Sequence, residues 1–171
     1  RRAKTTRSTI PAKDRILDVA YRRFSRQGVR AVGVDAIIAQ AEVAKMTFYR
    51  HFPTKDALVM AFLERREQLW TFEWLEAEVR SRAAAPKKRL LAIFDVFDEW
   101  FRRADYEGCC FIKTMFERFE SGDPVRQASS AYLEHVRLFV RDLAKEAGLS
   151  QPDDFASKWQ LLMNGAIVAA A

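Results

Sequence analysis

No stretch of useful length in this 171-residue chain alternates apolar and polar residues with period two, while stripes at helical spacing recur along it. Ile16, Leu17, Ala20 and Phe24 stand at i, i+1, i+4 and i+8, the spacing that buries one face of a helix. That pattern excludes sandwiches and barrels and predicts an all-α chain. Only 6 Gly and 5 Pro agree with it, since few tight turns are affordable.

The punctuation divides the chain into eight helices. The first runs from about Pro11 to Gln27, with Pro11 in its opening turn and Gly28 just past its end. A short second helix fits Val34–Ala41, with Gly33 at its N-cap position and Ile37 and Ala41 inward. The third, Ala44–His51, is stopped by Phe52-Pro53. Thr54 caps a fourth that carries Asp56 in its first turn and continues to about Arg82. A fifth is expected over Lys87–Ala104, a sixth over Cys110–Phe119 and a seventh over Pro124–Ala147, closed by Gly148. Asp153 or Asp154 opens the eighth.

Charge is divided unevenly. Residues 1–55 hold 13 Lys+Arg against 4 Asp+Glu, and residues 56–171 hold 16 against 19, so the overall +6 conceals a basic third on a mildly acidic remainder. One end is therefore expected to face a polyanion. The division gives two domains, 10–55 and 56–171. No apolar run approaches the ~20 residues of a membrane span, and the N-terminal segment lacks the apolar core of a secretory signal. Arg stands first in place of Met, so the original start is expected upstream.

Three helices within about 45 residues, with a short turn between the second and third, have the layout of a helix-turn-helix. The third helix, VAKMTFYRHF, then has a rationale. Val43, Phe48 and Phe52 anchor it to the first two helices. Lys45, Met46 and Thr47 form the leading turn that can meet base edges: Lys donates to guanine, Thr donates or accepts, and methyl groups touch thymine. Tyr49, Arg50 and His51 suit phosphate oxygens, and Lys55 adds a cation at the start of the next helix, beside free backbone N–H groups. The competing reading of the same residues is a small helical subdomain whose polar groups are merely solvated.

Residues GVRAVGVDAIIAQAEVAKMTFYRHFPTKDALVMA resemble the DNA-binding signature of the tetracycline-repressor (TetR) family. The block Thr47-Phe48-Tyr49-Arg50-His51-Phe52, followed by Lys55, carries most of the likeness, which extends over about residues 12–62. Gly108-Cys109/Cys110-Phe111-Ile112 and Leu161-Leu162-Met163-Asn164-Gly165-Ala166 echo one type of C-terminal domain in that family. The resemblance implies a homodimeric repressor that binds a palindromic operator in double-stranded DNA and is released by a small-molecule effector. It implies pairing through the last two helices of each subunit, and a ninth helix beyond Ala171 is expected on the same ground. Four positions depart from the family pattern. Gly33 replaces a Thr or Ser whose hydroxyl caps the helix and contacts phosphate in the family, so the resemblance leaves that contact to the backbone N–H groups at Gly33 and Val34. Glu42 replaces the Gly of the turn, Met46 a frequent Gly, and Ile38 a small residue. Glu42 would be strained if the turn needs φ > 0.

Sixteen of the 21 aromatic residues lie in 56–171, including all four Trp. Trp70, Trp74, Phe94, Phe97, Trp100, Phe101, Phe111 and Met115 are candidates for an apolar effector pocket, and equally for core and dimer interface. The adjacent Cys109 and Cys110 lack metal-ligand spacing and point to a reducing, cytoplasmic compartment; buried small hydrophobes and a thiol sensor are the two readings of the pair. His51 and His135 are far apart, no Gly-rich phosphate loop is present, and neither an enzyme, a metal nor a cofactor is expected. Arg1, Arg2, Lys4 and Arg7 read either as an arm for the minor groove or as a solubilising tail. The alternative function is a ligand-binding or protein-interaction module of the same fold that has lost operator binding, for which Gly33 and Glu42 are the best argument.

Overall fold

The computed structural model describes residues 10–171, so the basic arm at Arg1, Arg2, Lys4 and Arg7 lies outside the described residues. Helices account for most of the described chain, and no strand occurs among those residues. In chain order they are α1 (Ala12–Gln27), α2 (Val34–Gln40), α3 (Lys45–His51), α4 (Lys55–Arg66), a π-helical segment (Glu67–Glu76), α5 (Ala77–Arg82), α6 (Pro86–Phe101), α7 (Cys110–Glu117), α8 (Pro124–Glu146) and α9 (Pro152–Ala169). From Lys55 to Arg82 the helix is continuous, so the described residues form eight continuous helices, as the apolar periodicity predicts.

The chain packs as two compact units that divide within the α4 segment, one ending at Phe62 and the other beginning at Leu63. In the first unit α1 buries Ile16, Val19, Ala20 and Phe24, while Leu17 of the expected stripe is only half-buried. Ile37 and Phe48 are fully buried, and Phe62 closes the unit with its ring 5.4 Å from Phe24 and 5.7 Å from Tyr21. Thr54 caps α4 by accepting the Ala57 N–H at 3.0 Å.

The second unit is built around Leu75, Val79, Ile93, Val96, Val140 and Leu143, all of them fully buried. Asp123 caps α8, its carboxylate accepting the N–H groups of Val125 (2.8 Å) and Arg126 (3.0 Å). The Arg126 guanidinium donates in turn to the carbonyls of Met115 (2.8 Å) and Arg118 (2.9 Å) at the end of α7. With Arg118 extended at its C-cap, α7 stops at Glu117, short of the Phe119 expected from sequence.

The π-helical segment is the one element that periodicity does not announce. Its i→i+5 bonding is rare over such a length. It sets the Trp70 ring 5.6 Å from Trp74, 5.9 Å from Phe97 and 5.0 Å from Trp100. Glu67, at its first position, is buried and pairs with Nδ1 of His135 on α8.

Candidate functional site

The turn between α2 and α3 sets the orientation of α3. Val43 N–H donates to Ile38 O and Glu42 N–H to Ala39 O, both at 3.3 Å, the paired bonds of a Schellman motif. That motif needs its first residue past the cap in the left-handed region, and Glu42 sits there at φ 52. Among the described residues it is the one non-glycine with positive φ. The same pair of bonds ends α8, where Leu149 donates to Ala144 and Gly148 to Lys145. There Gly148 takes the position at φ 81. The strain expected of Glu42 is therefore present, on the order of 1–2 kcal/mol.

Arg15 offsets part of that strain. Its guanidinium donates to the carbonyls of Ala41 (3.1 Å) and Glu42 (3.3 Å) and, at the other end, to Ile10 (2.9 Å). The turn is thus pinned to α1 by an arginine that charge counting assigns to the basic surface. Arg23 fastens the end of α2 similarly, donating to Gln40 Oε1 at 2.6 Å. Glu42→Gly is expected to stabilise the first unit by a few tenths to about 1 kcal/mol, the strain relieved less the freedom gained by glycine in the unfolded chain. Thermal unfolding followed by circular dichroism checks it, and a lowered transition would mean that the Glu42 side chain makes a compensating contact.

On this frame α3 divides into two faces. Phe48 is wholly buried and Phe52 is 3% exposed, their rings 6.1 Å apart. Lys45, Met46, Tyr49 and Arg50 are exposed, and Met46 is 86% so. The Tyr49 ring rests against Phe48 at 5.2 Å. Thr47 and His51 are half-buried at the edges of this face. Lys45 Nζ lies 3.8 Å from an Asp35 carboxylate oxygen, and both side chains are largely in solvent, so the pair is weak and Lys45 can exchange it for another anion. Lys55 is more committed, being half-buried and donating to the Arg30 carbonyl at 3.5 Å. Gly33 is the N-cap of α2 at φ −81, followed by half-buried Val34, and a Cβ added at Gly33 would meet nothing within 4 Å. A chain with Thr or Ser there would fit without rearrangement.

In the second unit a narrow apolar recess with a cavity of about 20 Å³, partly open to solvent, lies among the π-helical segment and helices α6 to α9. Trp70, Phe97 and Phe111, three of the pocket candidates read from sequence, line it. Trp100 lines a smaller recess beside it with Arg66, and Met115 lines a broader polar groove along α7, α8 and α9. Trp74 stacks on Trp70 outside the lining, Phe101 packs on Phe97 and Trp100, and Phe94 is 42% exposed. Sequence reasoning missed the other wall, in which Trp159, Gln160, Met163, Asn164 and Ile167 come from α9. Their spacing at i, i+1, i+4, i+5 and i+8 was the available signal.

Cys109 and Cys110 are both free thiols and both buried. Burial pushes both pKa values up, that of Cys110 to about 12, against weaker opposing pulls from the backbone N–H groups of Ile112 and Phe111 on Cys109 and from Arg66 on Cys110. The folded chain thus holds these protons more tightly than the unfolded chain does. Their contribution to stability is full below about pH 8.5 and is lost as pH rises toward 12. At pH 8 iodoacetamide is expected to leave both thiols of the native protein unmodified and to alkylate both in guanidinium. Rapid native labelling, read by mass spectrometry, would instead support a reactive sensor pair.

A basic three-helix unit with an anchored, outward-facing third helix, joined to a larger helical unit with an apolar recess, is the layout of a helix-turn-helix protein. The family model for bacterial regulatory proteins of the tetR family matches residues 16–62. The HTH-type transcriptional regulator QacR of Staphylococcus aureus is 28% identical over 89 residues, which cover 52% of this chain. The match spans about half (47%) of that relative's length. Two solved TetR-family structures superpose with a TM-score of 0.82. One, SCO4454 from Streptomyces coelicolor, is 28% identical and is matched over 93% of this chain and 83% of that one. The other, a putative regulator (sav143) from Streptomyces avermitilis, is 25% identical over 94% and 86%. The chain is thus similar to TetR-family regulators, and the match to the family model lies in its N-terminal residues 16–62.

Proposed function

We propose that the protein is a transcriptional repressor that binds a palindromic operator as a homodimer and is released by a small molecule bound in its C-terminal unit. The observation that carries this reading is the division of α3, with Phe48 and Phe52 buried while Lys45, Met46, Tyr49 and Arg50 face solvent. A helix docked so, at the end of a basic unit, can enter the major groove with its leading turn toward the bases. Lys45, Met46 and Thr47 read base edges in this scheme. Tyr49, Arg50, His51, Lys55 and the backbone N–H groups at Gly33 and Val34 hold phosphates.

The apolar stripe of α9 supports pairing of two copies. Leu161, Leu162 and Val168 are 74%, 72% and 61% exposed, and Gly165 between them leaves room for close helix approach. No described helix is long and apolar enough to cross a membrane. QacR, as an HTH-type transcriptional regulator, is consistent with the same reading.

The test is selection of random duplex DNA by the purified protein near physiological salt, followed by sequencing. A two-fold symmetric enriched motif is the expected result. No enrichment from folded dimer would favour the second reading, a module that kept the fold and lost operator binding. The strained, exposed Glu42 beside α3 is the observation on its side.

A further inference from the structure

Two buried hydrogen-bond donors on rings that line the recess lack an acceptor. The indole Nε1 atoms of Trp70 and Trp159 are both inaccessible to solvent and find no partner in the protein, and both rings line the recess. Trp159 as a whole is only 4% exposed. Buried polar groups are nearly always paired, so each such donor calls for an explanation. Both rings are held by the same neighbour. Phe97 meets Trp70 edge to face at 5.9 Å and Trp159 at 5.4 Å, so neither indole can turn its N–H away without repacking the core.

The rest of the lining narrows the chemistry. No acidic or basic side chain contributes to it, and Cys109, its one titratable group, is a buried thiol. Arg66 belongs to the smaller recess alongside and is already engaged. A charged molecule entering here would shed its hydration with no countercharge to meet it. At the rim the Gln160 amide donates to the Leu133 carbonyl at 3.0 Å, linking α9 to α8 where the recess adjoins the polar groove.

Resting on the reading of this unit as an effector domain, we propose that the recess, narrow as it stands, widens to take an uncharged, largely apolar or aromatic molecule bearing a hydrogen-bond acceptor such as a carbonyl oxygen, held by the indole N–H groups of Trp70 and Trp159. Entry is from the polar groove, past Gln160 and Asn164. The indoles then select for the acceptor, and the uncharged walls select against ions.

The experiment titrates the whole chain, without DNA, with four probes of one ring system: naphthalene, acetylnaphthalene, naphthoate and naphthylmethylammonium. Calorimetry is expected to rank the ketone first, the hydrocarbon second and both ions last. Trp70→Phe and Trp159→Phe keep an aromatic ring and remove the donor. Each should weaken ketone binding about fivefold while changing naphthalene binding by no more than about twofold. The wild-type ranking stands as a test even if a variant fails to fold. Naphthoate binding as tightly as the ketone would overturn the proposal by showing that Arg66 or another cation is reached. A ketone no better than naphthalene would overturn the role of the indoles, and no binding by any probe to folded protein would overturn the site. None of these outcomes bears on operator binding, which the DNA selection reads separately.

Discussion

Phe48→Ala is expected to cost the N-terminal unit about 3–5 kcal/mol and to abolish DNA binding while the second unit stays folded. Phe48 is wholly buried, and its ring is one of two that hold α3 in place, the other being Phe52 at 6.1 Å. The first unit ends at Phe62, and so small a unit has little stability to spare. Removing the ring takes away its burial and leaves a cavity that short helices cannot close. The distribution of tryptophan makes the measurement clean. Trp70, Trp74, Trp100 and Trp159 all lie in the second unit, so their fluorescence reports on that unit alone. Far-ultraviolet circular dichroism reports on both. The expected result is a low-temperature loss of part of the helical signal with the fluorescence transition unmoved. If both signals fall together, the two units unfold as one and the assignment of Phe48 to a separable core is wrong.

That core was legible because it obeys one rule. Ile16, Ala20 and Phe24 keep helical spacing, and glycine, proline and threonine mark the ends, so the helices and their inward faces follow from pattern alone. Gly28 and Gly148 do take positive φ where each helix ends, and Thr54 does cap α4. What pattern could not supply is long-range. Arg15 reads as one more surface cation until the fold brings the carbonyls of Ala41 and Glu42, 26 and 27 residues away, within its reach. The α9 wall of the recess was hidden for a similar reason. Trp159 and Met163 sit on a helix whose apolar residues face two ways, since Leu161 and Leu162 point to solvent. Composition shows that such a helix is apolar, and only packing shows which side is inside.

The π-helical segment was hidden for a different reason. An α-helical continuation from Lys55 to Arg82 satisfies every local preference, and no Gly or Pro interrupts it. The wider register is favoured by what it packs, because it sets Trp70 against Phe97 and Trp100 and buries Glu67 against His135. These are tertiary gains, so they override the α preference without leaving a mark in the local sequence.

On α3 itself, Lys45→Ala is expected to lose about 1–3 kcal/mol more on the selected operator than on random DNA, whereas Tyr49→Ala should weaken binding to both alike. The difference follows from position. Lys45 opens the helix, is exposed, and is held only by a weak pair with Asp35, so its ammonium can reach a base edge at little cost. Tyr49 stands a turn later with its ring braced on Phe48 and its side chain exposed, so its hydroxyl is expected to meet phosphate rather than a base edge. Tyr49→Phe keeps that brace and should reproduce most of the loss if the hydroxyl is what binds. Arg50→Ala adds an independent reading, since each phosphate contact it removes should flatten the slope of log K against log[salt] by about 0.9. Competition binding on operator and random duplexes across a salt series separates these roles. Equal losses for Lys45→Ala on every sequence would place the lysine on the backbone, and base selection would then fall to Met46 and Thr47 alone.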